Sequence, residues 1–228
     1  FFVFTIGTIL ARSAGCVIND LADKDFDPHV KRTRLRPLAT KAISVNNAFF
    51  ILICLLVPCL FLVLTLNTST VILSFGALAI MSAYPFMKRY THFPQAILGI
   101  AFSWGIPMAF SAGGGSLDGT MWLLLVANWA WVIAYDTQYA MVDKEDDIKL
   151  GLKSTAIIFG KFSRLIIGVL QFFCLGILTI LGTSHDFGMV YQIAILVAGL
   201  FFLYQHFLLS EATRENYFAA FLNNHWVG

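Results

Sequence analysis

Seven long stretches of nearly unbroken apolar residues set the pattern of this chain, at roughly 1–18, 42–66, 69–87, 95–112, 119–141, 162–182 and 188–209. Each runs about 18 to 25 residues, enough as a helix to span the roughly 30 Å hydrocarbon core of a bilayer. The strands of a membrane barrel alternate polar and apolar residues; these runs do not. The pattern therefore predicts an all-α fold, a polytopic membrane helix bundle forming a single domain over 1–228. Glycine and proline inside the runs, at Pro58, Gly76, Gly99 and Pro107, suit spans that pack against one another.

Composition agrees. Of 228 residues, 58% are hydrophobic and 12% charged, against about 25% charged in a soluble domain. The net charge of +2 gives no reason to expect a nucleic-acid partner. Cys16, Cys54, Cys59 and Cys174 all fall in apolar stretches without a C-x-x-C pair, and read as small hydrophobes.

The placement of charge is more informative than its sum. Fourteen of the fifteen Lys and Arg residues lie in alternate connections. The first connection holds Lys24, Lys31, Arg32, Arg34, Arg36 and Lys41; the third Lys88 and Arg89; the fifth Lys144, Lys149, Lys153, Lys161 and Arg164; the seventh Arg214. The exception is Arg12, inside the first span. An excess of Lys and Arg marks cytoplasmic loops, so these connections are expected to face the cytoplasm, in a bacterial inner membrane. The chain opens within an apolar run and stops just past a polar patch, and the reading expects a span to be missing on each side.

The acids gather in the same connections. Asn19, Asp23 and Asp27 are spaced four apart, with Asp20 three before Asp23. A helix continued past the membrane edge would put all four on one face. Tyr139, Asp143 and Asp147 repeat the spacing, with Asp136 earlier and Lys149 and Lys153 following. Like charges stacked this way repel each other and make sense with a cation between them. Carboxylates without His or Cys suit Mg²⁺, which takes one or two of them and completes its shell with water and phosphate. Basic neighbours bind phosphate oxygens directly. Two acidic ends with arginine and lysine around them thus point to a Mg²⁺-dependent diphosphate site. Solvated loops are the plain alternative for either cluster; two at one spacing, on one side, argue against it. A divalent-cation transporter is a second alternative, since intramembrane acids mark ion paths, but only Asp136 lies away from the edge. A scaffold role leaves the twin stripes unexplained.

The strings themselves are specific. Asn19 to Asp27 fits N-D-x-x-D-x-x-x-D, followed by Arg32-Thr33 and Arg36-Pro37-Leu38, and Asp143 to Asp147 fits D-x-x-x-D. This pair resembles the intramembrane UbiA-type aromatic prenyltransferases, over essentially the whole chain. Tyr84 to Thr91, Tyr135 to Asp143 and Lys149 to Gly160 are similar to the branch that prenylates 4-hydroxybenzoate in the ubiquinone pathway. The resemblance implies nine membrane helices, of which seven full ones are visible. It implies transfer of a chain from polyprenyl diphosphate to the carbon ortho to the hydroxyl of 4-hydroxybenzoate, within membrane lipid. By position, Asp20, Asp23, Asp27, Asp143 and Asp147 would hold Mg²⁺, and Arg89, Lys149 and Lys153 would contact phosphate. Arg32 and Arg36 are either further phosphate contacts or ordinary cytoplasmic charges. Asn19 would lie near the acceptor phenol, and Arg12 would face its carboxylate or pair with an acid. Trp104, Tyr135 and Tyr139 are the aromatics expected to line the donor's cavity. The haem O, menaquinone and chlorophyll branches stay open.

Overall fold

The computed structural model describes every residue from Phe1 to Gly228 and contains helices without strands. In chain order these are α1 (Phe2–Asp23), α2 (Val45–Val63), α3 (Thr68–Ala83), α4 (Met87–Tyr90), α5 (Pro94–Ser103), α6 (Gly105–Ala112), α7 (Gly119–Lys149), α8 (Thr155–Phe159), α9 (Ser163–Ser184), α10 (Met189–Ser210) and α11 (Arg214–Asn223). Short 3₁₀ turns lie at Asp27–His29, Tyr84–Phe86, Gly160–Phe162 and Asn224–Trp226. The chain divides into two compact units: Phe1–Met87 with Pro107–Ser116, and Lys88–Ile106 with Leu117–Gly228.

Every expected apolar stretch is helical. The 95–112 stretch is broken at Trp104 into α5 and α6, because Pro107 has no N–H to give the carbonyl of Ser103 one turn earlier. Six segments are long and apolar enough to cross a membrane: Phe2–Asp23, Val45–Val63, Thr68–Tyr90, Pro94–Ala112, Thr155–Ser184 and Met189–Ser210. The seventh expected span falls on α7, which at 31 residues is the longest helix but carries Asn128, Asp136, Gln138 and three tryptophans. Its neighbours are other helices of its unit, so it does not need the uniform apolarity of a lipid-bathed span.

In the first unit α1 packs along α2. Of the nineteen residues of α2 only Ala48 is buried, and Phe50 and Phe61 are 69% and 67% exposed. A soluble monomer rarely bares so much contiguous apolar surface; a bilayer solvates it. The start of α3 is fixed by Asn67. Its side chain accepts from the Thr70 backbone N–H (2.9 Å) and donates to the Ser111 carbonyl (2.6 Å), while the Thr70 hydroxyl donates to Ser111 Oγ (2.9 Å).

In the second unit α7 is central, flanked by α5, α9 and α11. Small residues let the helices approach closely. A Cβ at Gly99 would lie 2.7 Å from Cδ1 of Trp129, whose indole N–H donates to the Ala96 carbonyl at 2.9 Å. Two apolar clusters, Ala127 with Cys174, Ile177 and Leu181, and Ala134 with Ile167, Leu209 and Ala220, close the interior. Beside them runs a buried amide relay. Gln138 and Gln171 both donate to Gln205 Oε1 (3.0 and 2.8 Å), Gln205 donates to Asn223 (3.1 Å), Asn224 donates to Gln138 (2.9 Å), and the Trp131 indole donates to Asn224 (3.0 Å). The relay ties α9, α10 and the chain's last residues to the middle of α7.

Candidate active site

At the first acidic end the backbone departs from the expected continuous helix. α1 stops at Asp23, and the chain tightens into three-residue turns, with Phe26 N–H donating to the Asp23 carbonyl (2.8 Å) and His29 N–H to Phe26 (2.9 Å). Pro28 explains the change, since it cannot carry the helical hydrogen-bond ladder forward. The stripe from Asn19 to Asp27 is therefore not one helical face; that expectation is corrected. Asp27 returns to the others by a different device. One guanidinium nitrogen of Arg36 lies 2.9 Å from Asp20 Oδ1 and 3.0 Å from Asp27 Oδ2. The Thr33 hydroxyl donates to the Asp27 carbonyl at 3.2 Å and pins the loop that delivers Arg36. Asp23 and Asp27 are both buried, at 3% and 4% exposure. Asn19 is half-buried one residue before Asp20, and Arg12 lies exposed two turns earlier on α1. Arg36, left open by the sequence as phosphate contact or ordinary charge, is the organiser of this cluster.

At the second end the helix does continue. α7 runs through to Lys149, so Tyr139, Asp143 and Asp147 share one face as their spacing predicts. Asp143 is buried, at 8% exposure. The neighbouring acids turn elsewhere: Arg214 at the start of α11 lies 2.8 Å from Glu145 Oε2 and 3.1 Å from Asp146 Oδ2. Those hydrogen bonds raise the guanidinium's pKa further above its ordinary value, Asp146 contributing most and Glu145 next. Arg214 thus sorts the four acids, engaging the two that are off the stripe. No local pattern signals this, because 68 residues separate Arg214 from Asp146.

Two residues past the end of α7, Gly151 turns the chain with a φ of +68°, in the left-handed region that glycine tolerates best. Lys149 is the helix's last residue and is exposed. Lys153 lies beyond the end, in a loop held by α4 and α5. Its backbone N–H donates to the Lys88 carbonyl (2.8 Å) and its ammonium to the Tyr90 carbonyl (3.0 Å), bringing it to the segment that carries half-buried Arg89. Gln95 and Thr137 set the loop's path: Gln95 Oε1 accepts from the Thr155 N–H at 3.0 Å, and the Thr137 and Thr155 hydroxyls are 2.7 Å apart. Buried Ser154, next to Lys153, has a hydroxyl with no hydrogen-bond partner. These supports went unread in the sequence. The rings of Tyr135 and Tyr139 pack on α11, at 6.1 and 4.5 Å from Phe221.

Nowhere do three or more His, Cys, Asp or Glu side chains gather as a metal cage. The donors present still fit Mg²⁺. They are carboxylate oxygens with cations beside them, and Mg²⁺ commonly relies on one or two protein carboxylates plus phosphate oxygens.

Fold and side chains define the class: an integral, multi-pass, all-helical membrane enzyme with two acidic helix ends. The chain belongs to the UbiA prenyltransferase family, whose sequence profile matches residues 1–227. It is 51% identical over 226 residues to proteins named 4-hydroxybenzoate octaprenyltransferase from Salmonella paratyphi B and Salmonella newport, covering 99% of this chain and 78% of each relative. Among solved structures, the apo UbiA homolog from Aeropyrum pernix K1 matches with a TM-score of 0.87 at 24% identity, over 100% of this chain and 86% of that one. A UbiA homolog from Archaeoglobus fulgidus, solved bound to GPP and Mg²⁺, matches with a TM-score of 0.72 at 18% identity, over 99% and 85%. These two likenesses bear on the fold.

Proposed function

We propose that this chain transfers a polyprenyl group from polyprenyl diphosphate to the ring carbon ortho to the hydroxyl of 4-hydroxybenzoate, in ubiquinone biosynthesis, with Mg²⁺ as cofactor. The observation that carries the substrate assignment is the 51% identity, over 99% of the chain, to proteins bearing that enzyme name. The acids and bases described above supply the chemistry.

On this reading Asp20, Asp23 and Asp27 of the first cluster would hold Mg²⁺, and so would Asp143 and Asp147 of the second. Bound there, Mg²⁺ supplies Lewis-acid stabilisation of the charge that grows on the departing diphosphate. Arg89, Lys149 and Lys153 neutralise phosphate oxygens directly, as preorganised donors aimed at developing charge. The allylic carbon–oxygen bond breaks, the diphosphate leaves with the bonding pair, and the electron-rich phenol ring attacks the cation-like carbon. A carbon–carbon bond forms and the ring loses its proton. Asn19 holds the phenol and Arg12 the acceptor carboxylate. The apolar donor tail stays in the membrane phase. The basic connections support a reading in which these residues face the cytoplasm, across a bacterial inner membrane.

The test is an extraction assay on the reconstituted protein supplied with ring-labelled 4-hydroxybenzoate, a polyprenyl diphosphate and Mg²⁺. Label is expected in the lipid phase only when all three are present, and chelation of the metal is expected to abolish it. Label that stays aqueous while another aromatic acceptor is prenylated would refute the acceptor.

A further inference from the structure

Away from the acidic ends, one pair of cations stands without any carboxylate. Lys161, in the turn before α9, and Arg164, in its first turn, are both exposed, and neither forms an ion pair. Lys161 lies over the Phe162 ring, 5.2 Å from its centre. Both cations stand at the head of a groove of about 570 Å³ walled by Leu165, Val169 and Phe172 of α9 and by His206 of α10. The His206 ring approaches α9 at Gly168, where a Cβ would come within 2.9 Å of Nε2.

The direction in which the groove faces decides what it can hold. Leu165, Val169 and Phe172 are 63%, 59% and 79% exposed, whereas Ile167, Gln171 and Cys174 of the same helix are buried. The groove therefore lies on the lipid side of α9. The segment Thr155–Ser184 is 30 residues long, more than the roughly 20 that cross the hydrocarbon core, so its first turns sit at headgroup depth. A basic head over an apolar wall at that depth is complementary to an anionic amphiphile.

We infer that this groove is a binding site for one anionic phospholipid. The lipid phosphate sits between Lys161 and Arg164, and an acyl chain lies along Leu165, Val169 and Phe172. A free phosphate ion has no use for the apolar wall. A prenyl diphosphate carries more charge than two cations offset, and the groove has no carboxylate to recruit a metal.

The experiment is native mass spectrometry of the full chain in detergent, titrated with phosphatidylglycerol or with phosphatidylcholine, following the first lipid bound. Phosphatidylglycerol is expected to bind preferentially, and Lys161→Gln or Arg164→Gln should each weaken it about fivefold, with the double variant losing about twentyfold. Lys41→Gln, an exposed lysine elsewhere, should change nothing, and millimolar inorganic pyrophosphate should not displace the lipid. Equal binding of phosphatidylcholine would overturn the assignment. So would undiminished binding by the double variant, an equal loss in Lys41→Gln (a diffuse surface effect), or displacement by pyrophosphate (a small-anion site).

Discussion

The ends of α1 and α7 carry carboxylates at the same four-residue spacing, yet the backbones beneath them differ. After Asp23 the chain leaves the helix, and Asp20 and Asp27 are held together by Arg36, a residue nine positions beyond Asp27. After Asp143 the helix runs on, and Arg214 engages Glu145 and Asp146, the two acids outside the four-residue spacing. One end gathers its acids by a cation drawn between them; the other separates them by helical rotation and a cation held to one side. Four-residue spacing thus fixes which residues are available, and the local backbone fixes how they come together.

Asp143→Asn offers the largest contrast with its neighbours. It keeps the shape of a buried side chain and removes its charge, and prenyl transfer is expected to fall about 100- to 1,000-fold. A steady-state rate within a few-fold of the native enzyme would remove Asp143 from the metal role. Arg36→Gln probes the other end. Without its guanidinium, Asp20 and Asp27 face each other's charge, and an incoming divalent cation no longer competes with a resident one. The Mg²⁺ concentration giving half-maximal metal binding without substrate should fall about tenfold, read by direct metal titration. A rise instead would mean that Arg36 builds the metal site rather than holding its place.

A smaller effect concerns what holds α7 in register. Asn224→Ala deprives both Gln138 and Trp131 of a buried partner. A loss of about 2 kcal/mol is expected, lowering Tm by roughly 4–8 °C in a chain of this size. An unchanged melting curve in detergent would show that the amide relay is not a clasp. Smallest of all should be Arg214→Gln. Its pair with Glu145, whose side chain is 75% exposed, contributes at most about 1 kcal/mol, and its other partner Asp146, 15% exposed, is not an acid assigned to the metal. Turnover within about threefold of native is expected in the same assay; a collapse like that of Asp143→Asn would erase the distinction between the acids Arg214 engages and those assigned to the metal.

Much of this architecture is legible in the order of apolar and polar residues. Apolar run length located the long helices, because a membrane-bathed helix must be apolar all round, but not the short α8 and α11. The spacing of Tyr139, Asp143 and Asp147 announced a helical face correctly, since no residue between them interrupts the ladder. Pro28 is the contrary signal at the first end, where a proline one residue past Asp27 is enough to end the stripe. The partners of Glu145 and Asp146 were illegible for another reason: Arg214 lies 68 and more residues away, and only tertiary packing brings it back. The same holds for Lys153, whose place is set by carbonyls of Lys88 and Tyr90 more than sixty residues earlier. The apolar stretch 119–141 marked only part of α7, which continues through charged residues to Lys149.

We propose that prenyl transfer needs the acids of both helix ends. A double-variant cycle on prenyl transfer, comparing Asp27→Asn, Asp143→Asn and the two combined across a range of Mg²⁺ concentrations, addresses it directly. Groups that work as a unit are strongly non-additive, so each single change should be crippling and the combination little worse than either. Near-native turnover in Asp27→Asn, or two losses that multiply in full, would contradict it.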